Sequence, residues 1–179
     1  MAGTRYVTRL LHYHGGMHDK HEAHRRLVKR LEEQAADVRR LTSGLDEEKL
    51  ARRVVEGKWS LKELAAHLWR VQDVFEGRID AMLAEENPVI ARYDPEGDAA
   101  FDRMAARPGA ETMAGFLEAR SRLASHLEAL GPAEWHRAGR HPEFPHYDVH
   151  FQVEYMVHHE AHHIYQMYQR RNPLGKMPH

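Results

Sequence analysis

Apolar residues in this chain recur three and four positions apart in four long stretches, and nowhere in the two-residue alternation of a half-buried strand. The first stripe is Leu27, Val28, Leu31, Ala35, Val38 and Leu41, with Gly44 where a helix stop is expected. A short helical turn is expected over 46–53. The second stripe is Leu61, Leu64, Leu68, Val71, Phe75, Ile79 and Met82. It opens with Ser60-Leu61-Lys62-Glu63, a capping box with Ser60 as N-cap, and Pro88 lies beyond its end. The third carries Met113, Phe116, Leu117, Leu123, Leu127 and Leu130, stopped by Gly131-Pro132. The fourth begins at Asp148, a good N-cap, and carries Val149, Val153, Met156, Val157, Ile164 and Met167 before Asn172-Pro173. Four amphipathic helices of similar length predict an all-α four-helix bundle. Its connections over 88–109 and 131–147 are long for a bundle, and such loops are where lids and binding surfaces are found.

The 179 residues suffice for one domain with a real core. Residues 1–17 read as an N-terminal extension, with flexibility and a native start at Met17 as open alternatives, and Gly15-Gly16 reads as a hinge. The domain proper is expected over 18–172 and a C-terminal tail over 173–179. With 26 Lys+Arg against 27 Asp+Glu the net charge is -1, which argues against a partner held by its phosphates, so no nucleic acid is expected. No apolar run approaches the roughly 18 residues of a membrane span. Without cysteine the chain has no disulfide, no Cys-based zinc site and no thiol nucleophile of its own. A cytoplasmic location is the expectation.

Histidine is abnormally frequent, at 16 residues, and it is both the commonest metal ligand and the side chain titrating nearest neutral pH. The informative run is His158-His159-Glu160-Ala161-His162-His163. His158/His162 and His159/His163 are both spaced i,i+4, which stacks side chains one turn apart on one helix face. His158 and His162 fall opposite the Val153/Ile164 stripe and should face solvent or a partner chain. His159 and His163 fall on the shoulder of the apolar face, where a dry, rigid site can form, and are the better metal pair. His67, about two turns into the second long helix and also on a shoulder, is the natural third ligand; the alternative is a hydrogen-bonded, half-buried histidine. Three histidines plus an open position describe a catalytic metal site.

Glu160 projects near the centre of the fourth helix's apolar face, where an ionised carboxylate is costly unless paired. It is a candidate catalytic proton carrier, a hydrogen-bond partner for a ligand histidine, or an ion-pair mate for Arg120 on the third helix. His159 to His163 also satisfies H-E-x-x-H, the zinc-protease signature. Against that reading, no Asp or Glu follows Glu160, and Gln166 and Gln169 stand where the extended pattern has Gly and His. His18, His21 and His24 read as a surface cluster, far from His67. His146 and His150 are weaker candidates for approaching the site from the last loop.

Gly57-Lys58-Trp59-Ser60 opening a helix that carries His67, and a later H-x-x-x-H-x-x-Q of His159, His163 and Gln166 before Arg170-Arg171, together resemble the DinB-like superfamily over about residues 25–171. The resemblance implies a DinB/YfiT-type four-helix bundle whose topology differs from a simple up-down one, often as a homodimer. It implies a divalent metal, zinc or nickel, held by His67, His159 and His163. It implies thiol-dependent chemistry: an S-transferase acting on electrophilic small molecules with a low-molecular-weight thiol as cosubstrate. Glu160, by its own placement on the fourth helix, is the candidate for proton handling in this chemistry or in hydrolysis. A hydrolase working through a metal-activated water is the alternative, and a non-enzymatic metal- or ligand-binding bundle the third. A related iron-enzyme class carries H-x-x-x-H-x-E, but Tyr165 occupies that Glu position here.

Overall fold

A computed structural model of the chain describes residues 15–95 and 97–177, with side chains from residue 21 onward. Most of the expected N-terminal extension, the side chain of His18 and the last two residues of the tail therefore lie outside the described residues. Among the described residues six α-helices follow one another: α1 (Gly15–Thr42), α2 (Glu47–Ala51), α3 (Leu61–Ala84), α4 (Ala99–Ala105), α5 (Gly109–Ala129) and α6 (Val149–Arg171). Short 3-10 turns occupy Glu134–His136 and Asn172–Leu174.

The long helices start where local chemistry satisfies their free N–H groups. Ser60 Oγ accepts from the Glu63 amide and the Glu63 carboxylate accepts from the Ser60 amide, which completes the capping box. Asp148 accepts from the Phe151 amide at 2.8 Å and opens α6. Beyond α1, Gly44 takes φ +69°, a left-handed conformation that costs glycine little. Gly15 and Gly16 form the first turn of α1 and are not a hinge there, so the boundary expected at residue 17 falls inside a helix.

Two core clusters fix the helix directions. One end of the bundle joins Val38 and Leu41 of α1, Leu61 and Leu64 of α3, Phe116 of α5 and Met167 of α6. The other joins Val28 and Leu31, Ile79 and Met82, Leu123 and Leu127, and Val149 and Val153 of the same four helices. Thus α1 runs parallel to α6, and α3 parallel to α5, with the two pairs antiparallel. Helix α1 packs on α5 and α6, and α3 packs on the same two helices. The first two long helices are antiparallel, as expected, but face each other across the diagonal. The topology is therefore not a simple up-down one.

The two long connections are more ordered than periodicity reveals. The first contains α4, a helix of 7 residues, too short for a readable stripe. Asp98 caps it through the Ala100 amide and also binds Arg70 of α3 at 2.6 Å and the Tyr93 hydroxyl at 2.9 Å. The second connection pairs with the first: the Ile90 amide donates to the Arg140 carbonyl, and the Arg140 amide to the Pro88 carbonyl, both at 2.8 Å. This bridge of Val89 with Arg140 and a second, antiparallel one of Ala138 with Asp148 are the only strand-like pairings among the described residues. No described helix is long and apolar enough to cross a membrane.

His24 departs from the surface position expected for it. It is 4% exposed, because the 3-10 turn after α5 lays Trp135 flat against it. Its i,i+4 spacing to Val28 does put His24 on the apolar side of α1, but the ring that covers it comes from a turn more than 100 residues away.

Candidate metal centre

The capping box sets the register of α3 and places His67 two turns in, facing α6. There His159 and His163 stand one turn apart. Ring centroids lie 4.5 Å apart for His159–His163, 4.6 Å for His67–His163 and 5.4 Å for His67–His159. One ring nitrogen from each of the three lies within 4.8 Å of the other two. The Nε2 atoms of His159 and His163 are 3.2 Å apart.

Gln166, one turn beyond His163, fixes the tautomer. Its Oε1 lies 3.0 Å from His163 Nδ1, so that nitrogen carries the proton and Nε2 keeps the lone pair. The Gln166 amide nitrogen donates to His162 Nε2 at 2.9 Å, which orients the carboxamide. His162 and His158 are exposed, as their helix face dictates.

All three imidazoles favour the neutral form. Burial, then the neighbouring His163 and His159, hold His67 down to about 3. Burial, then His163 and His162, hold His159 down to about 4. Burial lowers His163 as well, opposed by the Gln166 hydrogen bond. Three neutral nitrogens on packed helices fit a borderline dication such as zinc or nickel. His67 Nδ1 is buried without a hydrogen-bond partner, so a polar group of the cluster still lacks a mate.

Aromatic rings wall the cluster. Trp59 packs on His67 at 4.7 Å, with Phe101 of α4 6.2 Å from the same imidazole. On the other side the Tyr155 ring lies 6.3 Å from His159 and within 17° of parallel, and Phe75 meets His159 edge-on at 5.9 Å. A cavity of about 190 Å³ opens on the Phe75 and Tyr155 side, with His67 and His159 on its wall. Phe144 and Tyr147 from the last loop close it, and Arg78, Arg92, His141 and Glu143 supply its polar groups. Arg78 is held by the Ala91 carbonyl at 2.8 Å and lies over the Phe75 ring. Apolar walls with a few fixed polar groups suit a small organic ligand.

Glu160 does not face this cavity. It is 3% exposed and takes both ends of the Arg120 guanidinium, at 2.6 and 3.2 Å. Arg120 also binds Gln72 Oε1 and the Leu31 carbonyl, each at 2.6 Å, so the cluster ties all four long helices together. Burial pushes the Glu160 carboxyl up and Arg120 opposes it. Among the weaker candidates, His146 lies in a different surface hollow and His150 packs beside His24.

The wall residues Trp59, Phe75, Phe101 and Tyr155 were not singled out as site residues by the sequence. Tyr155 had a usable signal, four positions before His159 on the same helix; Phe101, on α4, had none.

Fold and side chains together define a helical-bundle protein with a candidate tris-histidine metal centre. The chain belongs to the DinB superfamily, whose family model matches residues 30–167. A solved structure of similar fold is that of YfiT from Bacillus subtilis, described as a probable metal-dependent hydrolase with an unusual four-helix bundle topology. The TM-score is 0.73 at 18% identity, over 98% of this chain and 94% of that one, a likeness of fold. No curated protein matches the chain in sequence.

Proposed function

We propose that this chain is a metal-dependent enzyme in which His67, His159 and His163 hold a divalent cation, zinc or nickel. The observation that carries this is the convergence of three ring nitrogens from two helices, two of the rings, His67 and His159, standing on the wall of an aromatic cavity. Such a cation supplies Lewis acidity and lowers the pKa of a thiol or water bound to it. The residues of the chain orient and exclude water. Gln166 fixes the His163 tautomer, Trp59 and Phe101 shield His67, and Tyr155, near-parallel to His159, and Phe75, edge-on to both, wall the cavity beside His159. The charged groups of Arg78, Arg92 and Glu143 stand in the same cavity to orient a polar substituent.

The reaction we infer is thiol-dependent S-transfer to an electrophilic small molecule. It needs no protein nucleophile, which suits a chain without cysteine, and a planar electrophile suits the ring-walled slot. Hydrolysis is the second reading, favoured by the description of the YfiT structure. Glu160 is best assigned to holding α5 and α6 through Arg120, because its carboxylate is committed there and lines no part of the cavity. We further propose that the chain works as a homodimer, as the family resemblance implies.

The test is metal analysis of the full chain purified without a nickel column, followed by assay of a haloarene with a panel of low-molecular-weight thiols. Stoichiometric metal with thiol consumption supports transfer. Metal with turnover of an ester or amide and no thiol dependence supports hydrolysis. Absence of metal and of both activities would leave only a ligand-binding bundle.

A further inference from the structure

A second group of imidazoles gathers at the other end of the bundle. His24 of α1 stacks on Trp135 with centroids 4.2 Å apart and ring planes 4° from parallel. His136, from the same 3-10 turn as Trp135, and His150, in the first turn of α6, surround it. Their centroids lie 5.7 and 5.2 Å from that of His24 and 6.3 Å from each other. Three segments distant in sequence thus deliver three imidazoles to one place. His150 and His159 are nine residues apart on α6, about 13 Å along the axis, so the two clusters are separate.

The ring nitrogens are sorted as metal ligands are. His136 Nδ1 lies 3.3 Å from Asp148 Oδ2, which leaves Nε2 for another partner. His150 Nε2 lies 3.9 Å from Glu154, while its Nδ1 is buried without a partner. His24 Nδ1 is likewise buried and unpartnered. A carboxylate hydrogen-bonded at the far nitrogen of a ligand histidine sets its tautomer and raises its basicity, as Asp148 does for His136; Glu154 is out of hydrogen-bond reach of His150. Around one ion with nitrogens at about 2.0–2.1 Å, ring centroids fall roughly 4.5–6 Å apart. Both spacings from His24 meet that; the 6.3 Å between His136 and His150 does not, and the three rings do not offer nitrogens all within 4.8 Å of one another, so binding requires the His136 side chain, 46% exposed, to swing inward.

We propose that His24, His136 and His150 form a second site for a borderline transition-metal dication of the zinc, nickel or copper(II) kind. A hollow of about 340 Å³ lies beside His24, lined also by His21, Arg25 and Glu128. The ion clamps α1 to the start of α6 and to the loop that carries His141, Phe144 and Tyr147 into the first cavity. The site stands whether or not the first centre binds metal.

The experiment titrates zinc into the chelator-stripped full chain and follows bound equivalents and thermal midpoint. Two equivalents are expected in the wild type, one in H136Q/H150Q and one in H159Q/H163Q, with none in the fourfold variant. In H159Q/H163Q the remaining zinc raises the midpoint, and adding H136Q/H150Q removes that rise. Glutamine at these partly exposed positions leaves the His24–Trp135 stack in place. In the wild type, cobalt(II) should broaden the Trp135 indole resonance. A second equivalent that survives H136Q/H150Q, or no cobalt effect at Trp135, overturns the proposal. Failure of the first centre looks different: the wild type would bind one equivalent, lost in H136Q/H150Q and kept in H159Q/H163Q.

Discussion

The Glu160 carboxylate receives both ends of the Arg120 guanidinium inside the bundle, where each side chain is under 5% exposed. Two buried charges stabilise each other only while both are present. Replacing either partner alone by Ala should cost about 3–5 kcal/mol. The hydrophobic pair R120M/E160L should cost far less than the sum of the singles, because no charge is left unpaired. Denaturant melts of the four proteins check this. Additive losses would show that the pair does not act as a unit, and would reopen a proton-handling role for Glu160.

Gln166 should matter to metal binding without touching the metal. Its carboxamide holds His163 Nδ1–H at 3.0 Å and aims Nε2 at His159. Q166L should weaken zinc binding by about 10–100-fold, the usual effect of losing a partner behind a ligand. Competition against a chelator of known affinity measures it. Unchanged affinity would mean that packing alone orients the ring.

Acid should destabilise the metal-free protein earlier than its carboxylates would. His24 and His159 are held down to about 4 and His67 to about 3 in the folded chain, all below the ordinary 6.5. The unfolded chain therefore takes up protons first as pH falls. Stability is complete above about pH 6.5 and drains away down towards pH 4 and below. Burial raises Asp73 and Glu76, which bends the curve the other way. Thermal midpoints of chelator-treated protein should fall from pH 7 to pH 4.5, and less steeply in H67Q. A flat profile would contradict the neutral, buried imidazoles.

Much of this was legible in the sequence because it is local. Ser60 and Glu63 announce the start of α3, and Asp148 that of α6, through hydrogen bonds spanning three residues. Periodicity then places His159 and His163 on one shoulder, His158 and His162 on the outer face, and Glu160 and Arg120 towards the interior. What was not legible is non-local. The diagonal placement of α1 and α3 depends on which apolar faces fit together, and each stripe allows several neighbours. Trp135 covers His24 from a turn that carries no repeating pattern. Phe101 reaches His67 on a helix of 7 residues whose cap, Asp98, binds Arg70 of α3 and Tyr93, and both Asp98 and Tyr93 are remote from His67 in sequence.

Tyr155 should govern how an electrophile sits and leave the metal alone. Its ring lies parallel to His159 and edge-on to Phe75 at the cavity wall, and it is 39% exposed, so its loss should spare the fold. A ring contact of this kind is worth about 0.5–1.5 kcal/mol, so Y155A should raise KM for an aromatic electrophile roughly 2- to 10-fold. Zinc content should not change. Steady-state kinetics with a haloarene tests this, and an unchanged KM would place the substrate elsewhere.

The central claim is that His67, His159 and His163 close on one cation. Anomalous diffraction at the zinc edge, from crystals of the zinc-loaded full chain, tests it most directly. The account predicts a peak bounded by nitrogens of all three rings at about 2.0–2.1 Å. Crystals in which those rings surround no anomalous scatterer, although zinc is bound elsewhere on the chain, would contradict it.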